Sequence, residues 1–294
     1  MSDNSICKTI KNLNLLDSFL FNELTENPEN AKLIARIIIK RVLGWPVEDI
    51  EVETEKQYHG YRIGQKGIRL DLQVTECDNK KIIRFYDIEP NRYIEKFLAK
   101  RSRYYLALTD TKLLGTSKKY RELPEYFSVW ILPYDPFGDN RMLYTVKNMV
   151  VENPQIVYND GVTRVFLYTD GEIGGSEELH ALLQYFTKTQ DCYAVDEELQ
   201  KLQSVVSDIK NDEEVGERYM TIEEMIEYEK DYSYEKGHIA GMSAGMSAGM
   251  SAGLIDGTIR TCRKFGKSDT EIIEVLMEEY SLSYEEAKKS VINN

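Results

Sequence analysis

The pattern of apolar and polar residues predicts two helices and then three strands in the first ninety residues. Residues 17–43 have apolar positions at helical spacing, and Asn27 before Pro28 is typical of a helix cap with proline at the first helical position. Three strand-like runs follow, at residues 50–56, 68–75 and 82–89. In the second run, leucine and valine alternate with polar residues, as in a half-buried strand.

The pattern continues with alternating helices and strands up to about residue 190. A helix is predicted from Tyr93 to about Leu114, and a second helix over residues 176–188. Two buried strands are predicted between these helices, at residues 126–135 and 163–169. This order of elements predicts an α/β domain over residues 1–190.

The remainder of the chain predicts a helical arm and a small helix pair. Residues 191–254 are acidic and helical in pattern, and they end in a GMSA repeat over residues 241–254. A four-residue repeat of glycine weakens a helix but allows another helix to approach closely, so we expect a flexible or dimerising arm and hence a homo-oligomer. Residues 255–294 carry two capping boxes, which predict a terminal helix pair; they are Ser268 with Glu271 and Ser283 with Glu286.

The net charge of −13 is concentrated in the C-terminal part of the chain. Residues 191–294 hold 11 basic and 23 acidic residues, whereas the first 190 residues hold 26 basic and 27 acidic residues. Residues 84–121 alone carry ten Lys and Arg against four Asp and Glu. Because phosphate contacts need Lys and Arg, this segment keeps DNA available as a partner despite the acidic total.

Several other classes of protein are disfavoured by the composition. No stretch approaches the length of a membrane span, and the first residues lack a signal-peptide core, so we expect a cytoplasmic protein with no membrane partner. The four cysteines form no CxxC pair and the three histidines are scattered, which argues against a zinc site or a histidine triad.

Two carboxylates on neighbouring predicted strands, Asp71 and Glu89, are the candidate chemistry. Metal-dependent phosphodiester cleavage needs oxygen ligands for a hard cation and an activated water. A two-residue turn between the strands would place Asp71 and Glu89 on opposite faces. An odd loop or a bulge instead places Asp71 across from Asp87, with Glu89 diagonal at about 7–8 Å on the same face. The metal-site hypothesis therefore requires an odd loop or a bulge, and it makes Asp87 a third candidate acid.

The sequence around these acids resembles the PD-(D/E)XK nuclease family transposases, also called recombination-promoting nucleases. The resemblance rests on GIRLDLQV, a turn, IIRFYDIEPNR and the following KRSRYYLALTDTKLLGTSKKYRELPEYFSVWILPYDPFG. The segments DSFLFNELTENPEN and GVTRVFLYTDG are also similar to that family, so the resemblance covers nearly the whole chain. It implies a restriction-endonuclease-like core, in which a mixed central sheet is flanked by helices, and Mg²⁺-dependent (or Mn²⁺-dependent) cleavage of double-stranded DNA.

The resemblance assigns roles to individual positions. It implies that Asp71 and Glu89 hold the metal ion, and it places Asn91 where the family has Lys or Gln. Asn91 is neutral and short, so it could orient a water molecule together with Asp87 but could not neutralise phosphate charge as a lysine would. Pro90 is a second departure, because proline removes a ladder donor and usually lies at a strand edge or bulge.

The resemblance also implies a basic and aromatic surface beside the acids. The expected DNA-binding residues are Arg92, Arg101, Arg103 and Tyr104. Arg101 and Tyr104 are three residues apart on the predicted helix and could share a face, where they would contact phosphate and stack on a base. Many nucleases of this superfamily add an acid from the first helix, and the sequence leaves three candidates open: Asp17, Glu23 and Glu29.

Three functions are therefore expected, in decreasing order of preference. The first is a Mg²⁺-dependent DNA endonuclease. The second, motivated by Pro90 and Asn91, is a weakened or inactive pseudo-nuclease that binds DNA. The third, motivated by the acidic arm and its repeat, is an assembly protein, and this role is compatible with either of the others.

Overall fold

The computed structural model describes residues 9–59, 66–79, 81–115 and 118–293. The chain divides into two units, of which the first ends at Met220 and the second begins at Thr221. The helices of the chain are α1 Ser18–Glu26, α2 Pro28–Leu43, α3 Leu98–Leu113, α4 Glu177–Lys188, α5 Glu197–Asn211, α6 Glu213–Lys264, α7 Asp269–Tyr280 and α8 Tyr284–Ile292. The strands are β1 Ile50–Tyr58, β2 Ile68–Asp78, β3 Lys81–Pro90, β4 Glu125–Leu132, β5 Leu143–Val146, β6 Met149–Val150, β7 Asn153–Val157 and β8 Val162–Tyr168.

The first unit is built on a mixed sheet with the strand order β1-β2-β3-β4-β8-β5. Strands β1, β2 and β3 are antiparallel neighbours, and β3, β4 and β8 run parallel to one another. Strand β5 closes the other edge antiparallel to β8, and β6 and β7 form a separate two-stranded sheet. The predicted α/β class, with a mixed sheet flanked by helices and a helical C-terminal region, is confirmed, whereas β5, β6 and β7 were not predicted.

The predicted helix boundary between α1 and α2 is confirmed in detail. The side chain of Asn27 accepts hydrogen bonds from the backbone N–H groups of Glu29 and Asn30, and Pro28 occupies the first turn of α2. The end of α2 lies at Gly44, whose φ of +85° is the left-handed conformation that glycine adopts without a steric penalty.

Both faces of the central sheet are covered, which differs from the half-buried pattern predicted for β2. On one face, residues such as Leu72, Ile88 and Val129 pack with α1, α2 and α4 in what we call the first cluster. On the other face, residues such as Phe85 and Trp130 pack against α3 in the second cluster. Among the polar residues of β2, Arg69 is exposed as the half-buried pattern predicts, but Gln73 is only 8% exposed and Thr75 only 6% exposed.

Strand β2 changes from one cluster to the other at Asp71. Leu72 belongs to the first cluster, whereas Leu70, two residues earlier, belongs to the second. The neighbouring strand β1 is irregular at the same level. Glu55 of β1 has a φ of +49°, whereas the residues on either side of it, Thr54 and Lys56, keep their pairing with β2. Asp71 therefore lies at a bend where the β1–β2 hairpin passes from one side of the sheet to the other.

The β2–β3 hairpin contains the bulge that the metal-site hypothesis requires. Its turn leaves two residues between Asp78 and Lys81, and the register then shifts between Glu76 and Cys77. Beyond the bulge the register aligns Leu72 with Ile88. An even turn plus one bulged residue thus brings the acids of the two strands to one level of the sheet.

The first unit extends beyond the predicted boundary at residue 190. Helix α5 buries Leu199, Leu202 and Val206 in the first cluster, so it completes the core rather than starting an arm. The beginning of α6 contributes Val215 and Tyr219 to the same cluster. The acidic charge of this segment lies on the exposed sides of helices whose apolar stripes are buried.

The second unit contains most of α6 together with α7 and α8. The GMSA repeat lies inside the helix α6, and both alternatives for the arm, flexible or dimerising, stay predictions. Both predicted capping boxes are confirmed, at Ser268 with Glu271 and at Ser283 with Glu286. A small third cluster, which includes Ile259 and Leu276, joins the end of α6 to α7 and α8. Over the described ranges, every helix is too short or too polar to cross a bilayer.

Candidate active site

Three carboxyl groups meet where β2 and β3 face α3. The register pairs Gln73 with Asp87 and Leu72 with Ile88, which brings Asp71 level with Glu89. Asp87 and Glu89 alternate with Tyr86 and Ile88 of the first cluster, so both acids point to the side of α3. Asp71 was expected across from Asp87, but the single bulge places it across from Glu89.

Two hydrogen bonds fix the acids of β3 in place. The backbone N–H of Asp71, located at the bend of β2, donates to Oε1 of Glu89 at 3.0 Å. Tyr126 of β4 donates its hydroxyl to Oδ2 of Asp87 at 3.0 Å. The other oxygen of Asp87, Oδ1, is buried with no N–H or O–H donor among the described residues. Since a buried oxygen without a donor is costly, this atom marks a position where a ligand or a proton would be stabilised.

Burial raises the pKa of every acid in this group. Asp87 and Glu89 are 0% and 1% exposed. Burial raises the pKa of Asp71 to about 6 and that of Asp87 to about 7, although hydrogen bonds from Glu89 and Tyr126 partly offset the shift of Asp87. The pKa of Glu89 is raised well above its ordinary value, first by burial and then by the negative charges of Asp87 and Asp71. The acids therefore share protons near neutral pH and cannot all ionise without a compensating cation.

Arg101 of α3 brings a positive charge to these acids. Its Nη2 lies 3.7 Å from Oε2 of Glu89 and donates to the hydroxyl of Tyr105 at 2.9 Å. The guanidinium carbon is 5.1 Å from the ring centroids of both Tyr105 and Trp130, so two aromatic rings hold the side chain in place. The Arg101 charge also lowers the pKa of Asp71, which is otherwise raised by burial.

Gln73 is a member of the site that the sequence did not reveal. The hydroxyl of Tyr58 donates to its Oε1 at 2.6 Å, and its Nε2 donates to Oε2 of Glu53 at 3.2 Å. These two bonds fix the amide on the face that carries Asp87, its partner in the register. The available signal was its position two residues after Asp71 on the same strand.

The other residues implied by the resemblance lie outside the group of acids or at its border. Asn91 follows the end of β3, and its Oδ1 accepts a hydrogen bond from the backbone N–H of Tyr93 at 3.1 Å. Tyr104 donates its hydroxyl to the backbone carbonyl of Lys66, so Tyr105, and not Tyr104, is the aromatic partner of Arg101. Arg103 is exposed on α3.

The three acids of the first helices make other contacts. Asp17 caps α1 and forms an ion pair with Arg92, which was predicted to bind DNA. Glu23 pairs with Arg218 at 2.6 Å, and Glu29 pairs with Lys32 at 3.0 Å. None of these contacts brings one of the three acids to Asp71, and the acids that would surround a ligand here come from β2 and β3.

The chemistry of the group fits a hard divalent cation. Carboxylate oxygens are the ligands that Mg²⁺ and Mn²⁺ prefer, and the free Oδ1 of Asp87 and the crowding of negative charge favour a cation over three separate protons. In the part of the chain that the structure describes, no group of three or more His, Cys, Asp or Glu side chains is already arranged as a set of metal ligands. Asp71 and Glu89 would have to exchange their shared protons for a cation to take up this role.

Comparison with known proteins adds no relative. The chain matches none of the protein-family models, curated proteins or solved structures with which it was compared. Function is therefore inferred from the geometry and chemistry of the residues themselves, with Asp71, Asp87, Glu89 and Arg101 at their centre.

Proposed function

We propose that this protein is a metal-dependent DNA endonuclease with a restriction-endonuclease-like fold, related to the PD-(D/E)XK transposases that its sequence resembles. The observation that carries the proposal is a group of three buried or part-buried carboxyls on neighbouring strands of a mixed sheet, in which Asp71 lies level with Glu89 and Asp87 lies two residues before Glu89 on the same face. Acids perturbed by burial and by one another's charge cluster at catalytic sites.

Asp71 and Glu89 would hold Mg²⁺ (or Mn²⁺). The bound cation would supply positive charge at the scissile phosphate and increase the acidity of a water molecule. Asp87, whose Oδ1 has no hydrogen-bond donor among the described residues, would accept a proton from the attacking water. Gln73, fixed by Tyr58, can orient the same water by a hydrogen bond.

Arg101 would supply the positive charge that a lysine at the position of Asn91 supplies in the family pattern. Asn91 cannot supply this charge, whereas the guanidinium of Arg101 lies 3.7 Å from Glu89. An arginine remains protonated and therefore stabilises negative charge on a phosphate without acting as a base. The partner would be double-stranded DNA, held by the basic residues of the 84–121 segment.

The test is nicking of supercoiled plasmid DNA in the presence of Mg²⁺ or Mn²⁺. Asp71→Asn and Glu89→Gln remove a ligand charge at almost constant size, so we expect each to reduce nicking by at least about 100-fold. Asp208→Asn, an exposed carboxyl on α5, is the matched control and should nick like the wild type. Nicking that persists in both site variants would overturn the proposal.

Added metal provides a second measurement that does not require cleavage. A cation that binds only the folded protein raises its resistance to unfolding, by about 2.7 kcal/mol at a concentration of 100 times the dissociation constant. We expect Mg²⁺ to raise the unfolding midpoint of the wild type and to leave that of Asp71→Asn unchanged. Equal stabilisation of both proteins would place the cation elsewhere.

A pseudo-nuclease that binds DNA without cutting it is the second candidate. The observation that favours it is that Asn91 uses its side-chain oxygen within the loop, at Tyr93, where the family pattern would have a catalytic side chain. Salt-dependent DNA binding without cleavage by any divalent ion would support this candidate. Cutting gained by Asn91→Lys would identify the missing charge, and efficient cutting by the wild type would exclude the candidate.

Cytoplasmic action and self-association are further parts of the proposal. Cys77, Cys192 and Cys262 are free thiols, as is usual for a protein of a reducing compartment. The GMSA repeat in α6 presents small residues that would let a second helix approach closely. Oligomers that persist after removal of residues 237–294 would contradict assembly through this helix.

A further inference from the structure

The loop between β3 and α3 presents three large apolar side chains to solvent. Tyr93 is 74% exposed, Ile94 is 75% exposed and Phe97 is 65% exposed. Single exposed apolar residues are common, but three within five positions form a patch that points to a binding partner.

The backbone of this loop is fixed by side-chain hydrogen bonds. Asn91 Oδ1 accepts from the N–H of Tyr93, and Glu95 Oε1 accepts from the N–H of Phe97, each at 3.1 Å. The N–H of Glu95 donates to the hydroxyl of Tyr134 at 3.2 Å. A ligand that stacks on Tyr93 or Phe97 would therefore meet a backbone that is already positioned, which lowers the conformational entropy lost on binding.

Positive side chains flank the patch, and the one acid of the loop, Glu95, forms an ion pair with Arg101 at 3.8 Å. Lys96 and Lys100 are exposed, and Nζ of Lys100 lies 5.6 Å from the ring centroid of Phe97. Arg103 is exposed on the following turn of α3. Lysine is depleted at protein–protein interfaces, whereas aromatic rings set among lysines are the usual surface for single-stranded nucleic acid.

The patch adjoins the candidate active site along the chain. The loop starts two residues after Glu89, and it ends at α3, where Arg101 contacts that same acid. In an intact duplex the faces of the bases are stacked on one another and are not available to Tyr93 and Phe97. Unpaired bases beside a gap, a nick or an end can stack on both rings.

We propose that residues 91–97 form a stacking platform for unpaired bases, so that the adjacent site favours double-stranded DNA that carries an unpaired segment over fully paired duplex. This inference rests on the proposed nuclease function for its biological meaning. The binding preference itself does not depend on cleavage.

The test is fluorescence anisotropy with a labelled oligothymidylate and a labelled duplex of the same length, in a chelator that prevents cleavage. The wild type should bind the single strand more tightly than the duplex. Phe97→Ala and Tyr93→Ala should each weaken single-strand binding by about 5- to 100-fold, since one stacked base is lost, and should leave duplex binding within about twofold. Phe97→Trp should retain wild-type binding of the single strand.

Tyr120→Ala provides the matched control. Tyr120 is 85% exposed and belongs to the same basic segment, but it follows the far end of α3. This variant should bind both probes like the wild type. Equal losses in Tyr120→Ala and Phe97→Ala would overturn the proposal, because binding would then reflect general surface charge and apolarity.

Other results separate this proposal from the nuclease proposal. Tighter binding of duplex than of single strand would overturn the platform even if plasmid nicking requires Asp71. A platform confirmed by anisotropy in a protein that does not nick DNA would contradict only the nuclease function. If Phe97→Ala instead dissociates a wild-type dimer in sedimentation and leaves both DNA affinities unchanged, the patch is a protein interface and the platform is excluded.

Discussion

Replacement of Asp87 by asparagine should stabilise the metal-free protein above neutral pH. The carboxyl of Asp87 is completely buried, and burial raises its pKa from 3.8 to about 7. Because the folded state holds this proton more tightly than the unfolded chain does, the proton stabilises the folded state fully below pH 4 or so and loses this effect as the pH rises through about 7. Wild-type stability should therefore fall between about pH 5 and about pH 8.

The size of this effect follows from the shift in pKa. A shift of roughly three units corresponds to about 4 kcal/mol at pH values well above 7. This value is an upper limit, because Asp87 and Glu89 share protons and ionise together. In Asp87→Asn, the amide oxygen can accept from Tyr126 and the amide nitrogen can donate to Glu89, so the hydrogen bonds are kept while the ionisation is removed.

The measurement is urea unfolding at about pH 5 and about pH 8 in the presence of a chelator, followed by tryptophan fluorescence. The two tryptophans, Trp45 and Trp130, both belong to the first unit, and Trp130 is fully buried beside the site. We expect Asp87→Asn to be more stable than the wild type at the higher pH, with a smaller loss between the two pH values. Asp208→Asn should follow the wild type. A wild type equally stable at both pH values, or a variant destabilised equally at both, would refute the assignment of the raised pKa.

Two further predictions concern Arg101 and the GMSA repeat. Arg101→Ala should reduce metal-dependent nicking by about 10- to 1,000-fold, because the acids lose their nearby positive charge, and Arg101→Lys should recover part of the activity; full activity of the alanine variant in the plasmid assay would contradict this role. Gly245→Ala should stabilise α6 by about 1 kcal/mol, since Gly245 is helical and has open space where a Cβ would be; circular dichroism during thermal unfolding measures this. Gly44→Ala, at a φ of +85°, should instead destabilise the protein, and a loss of helix in Gly245→Ala would show that the repeat needs its glycines for close contacts.

The elements of the fold were predictable because they depend on local periodicity and on caps. The α1–α2 junction at Asn27 and the two capping boxes of the second unit follow from a few neighbouring residues. Strand β5 has only four residues, which is too short for an alternating pattern to be distinguished from a loop. The domain boundary was placed too early because α5 looks acidic in sequence, although its apolar stripe completes the first cluster.

The site was predictable only in part, because register and helix rotation are tertiary properties. The bulge leaves Ile83 of β3 unpaired opposite Glu76 and Cys77, and none of these residue types indicates a bulge, yet it decides that Asp71 lies opposite Glu89. Helical periodicity alone places Tyr104 and Tyr105, three and four residues after Arg101, equally near it. The packing of Tyr105 and Leu108 in the second cluster sets the rotation of α3, so that Tyr105 becomes the partner of Arg101. Gln73 was missed because a polar residue in an alternating strand usually faces solvent, whereas α3 covers this face.

The single bulged residue of the β2–β3 hairpin also limits how this hairpin can change in length. One bulge combined with a two-residue turn gives an odd count, which brings Asp71 and Glu89 to the same face. Loss or gain of one residue between them would move Asp87 and Glu89 into the first cluster and would bring Tyr86 and Ile88 under α3. Insertions and deletions here are therefore compatible with the site only in pairs, whereas substitutions along the same strands leave it in register.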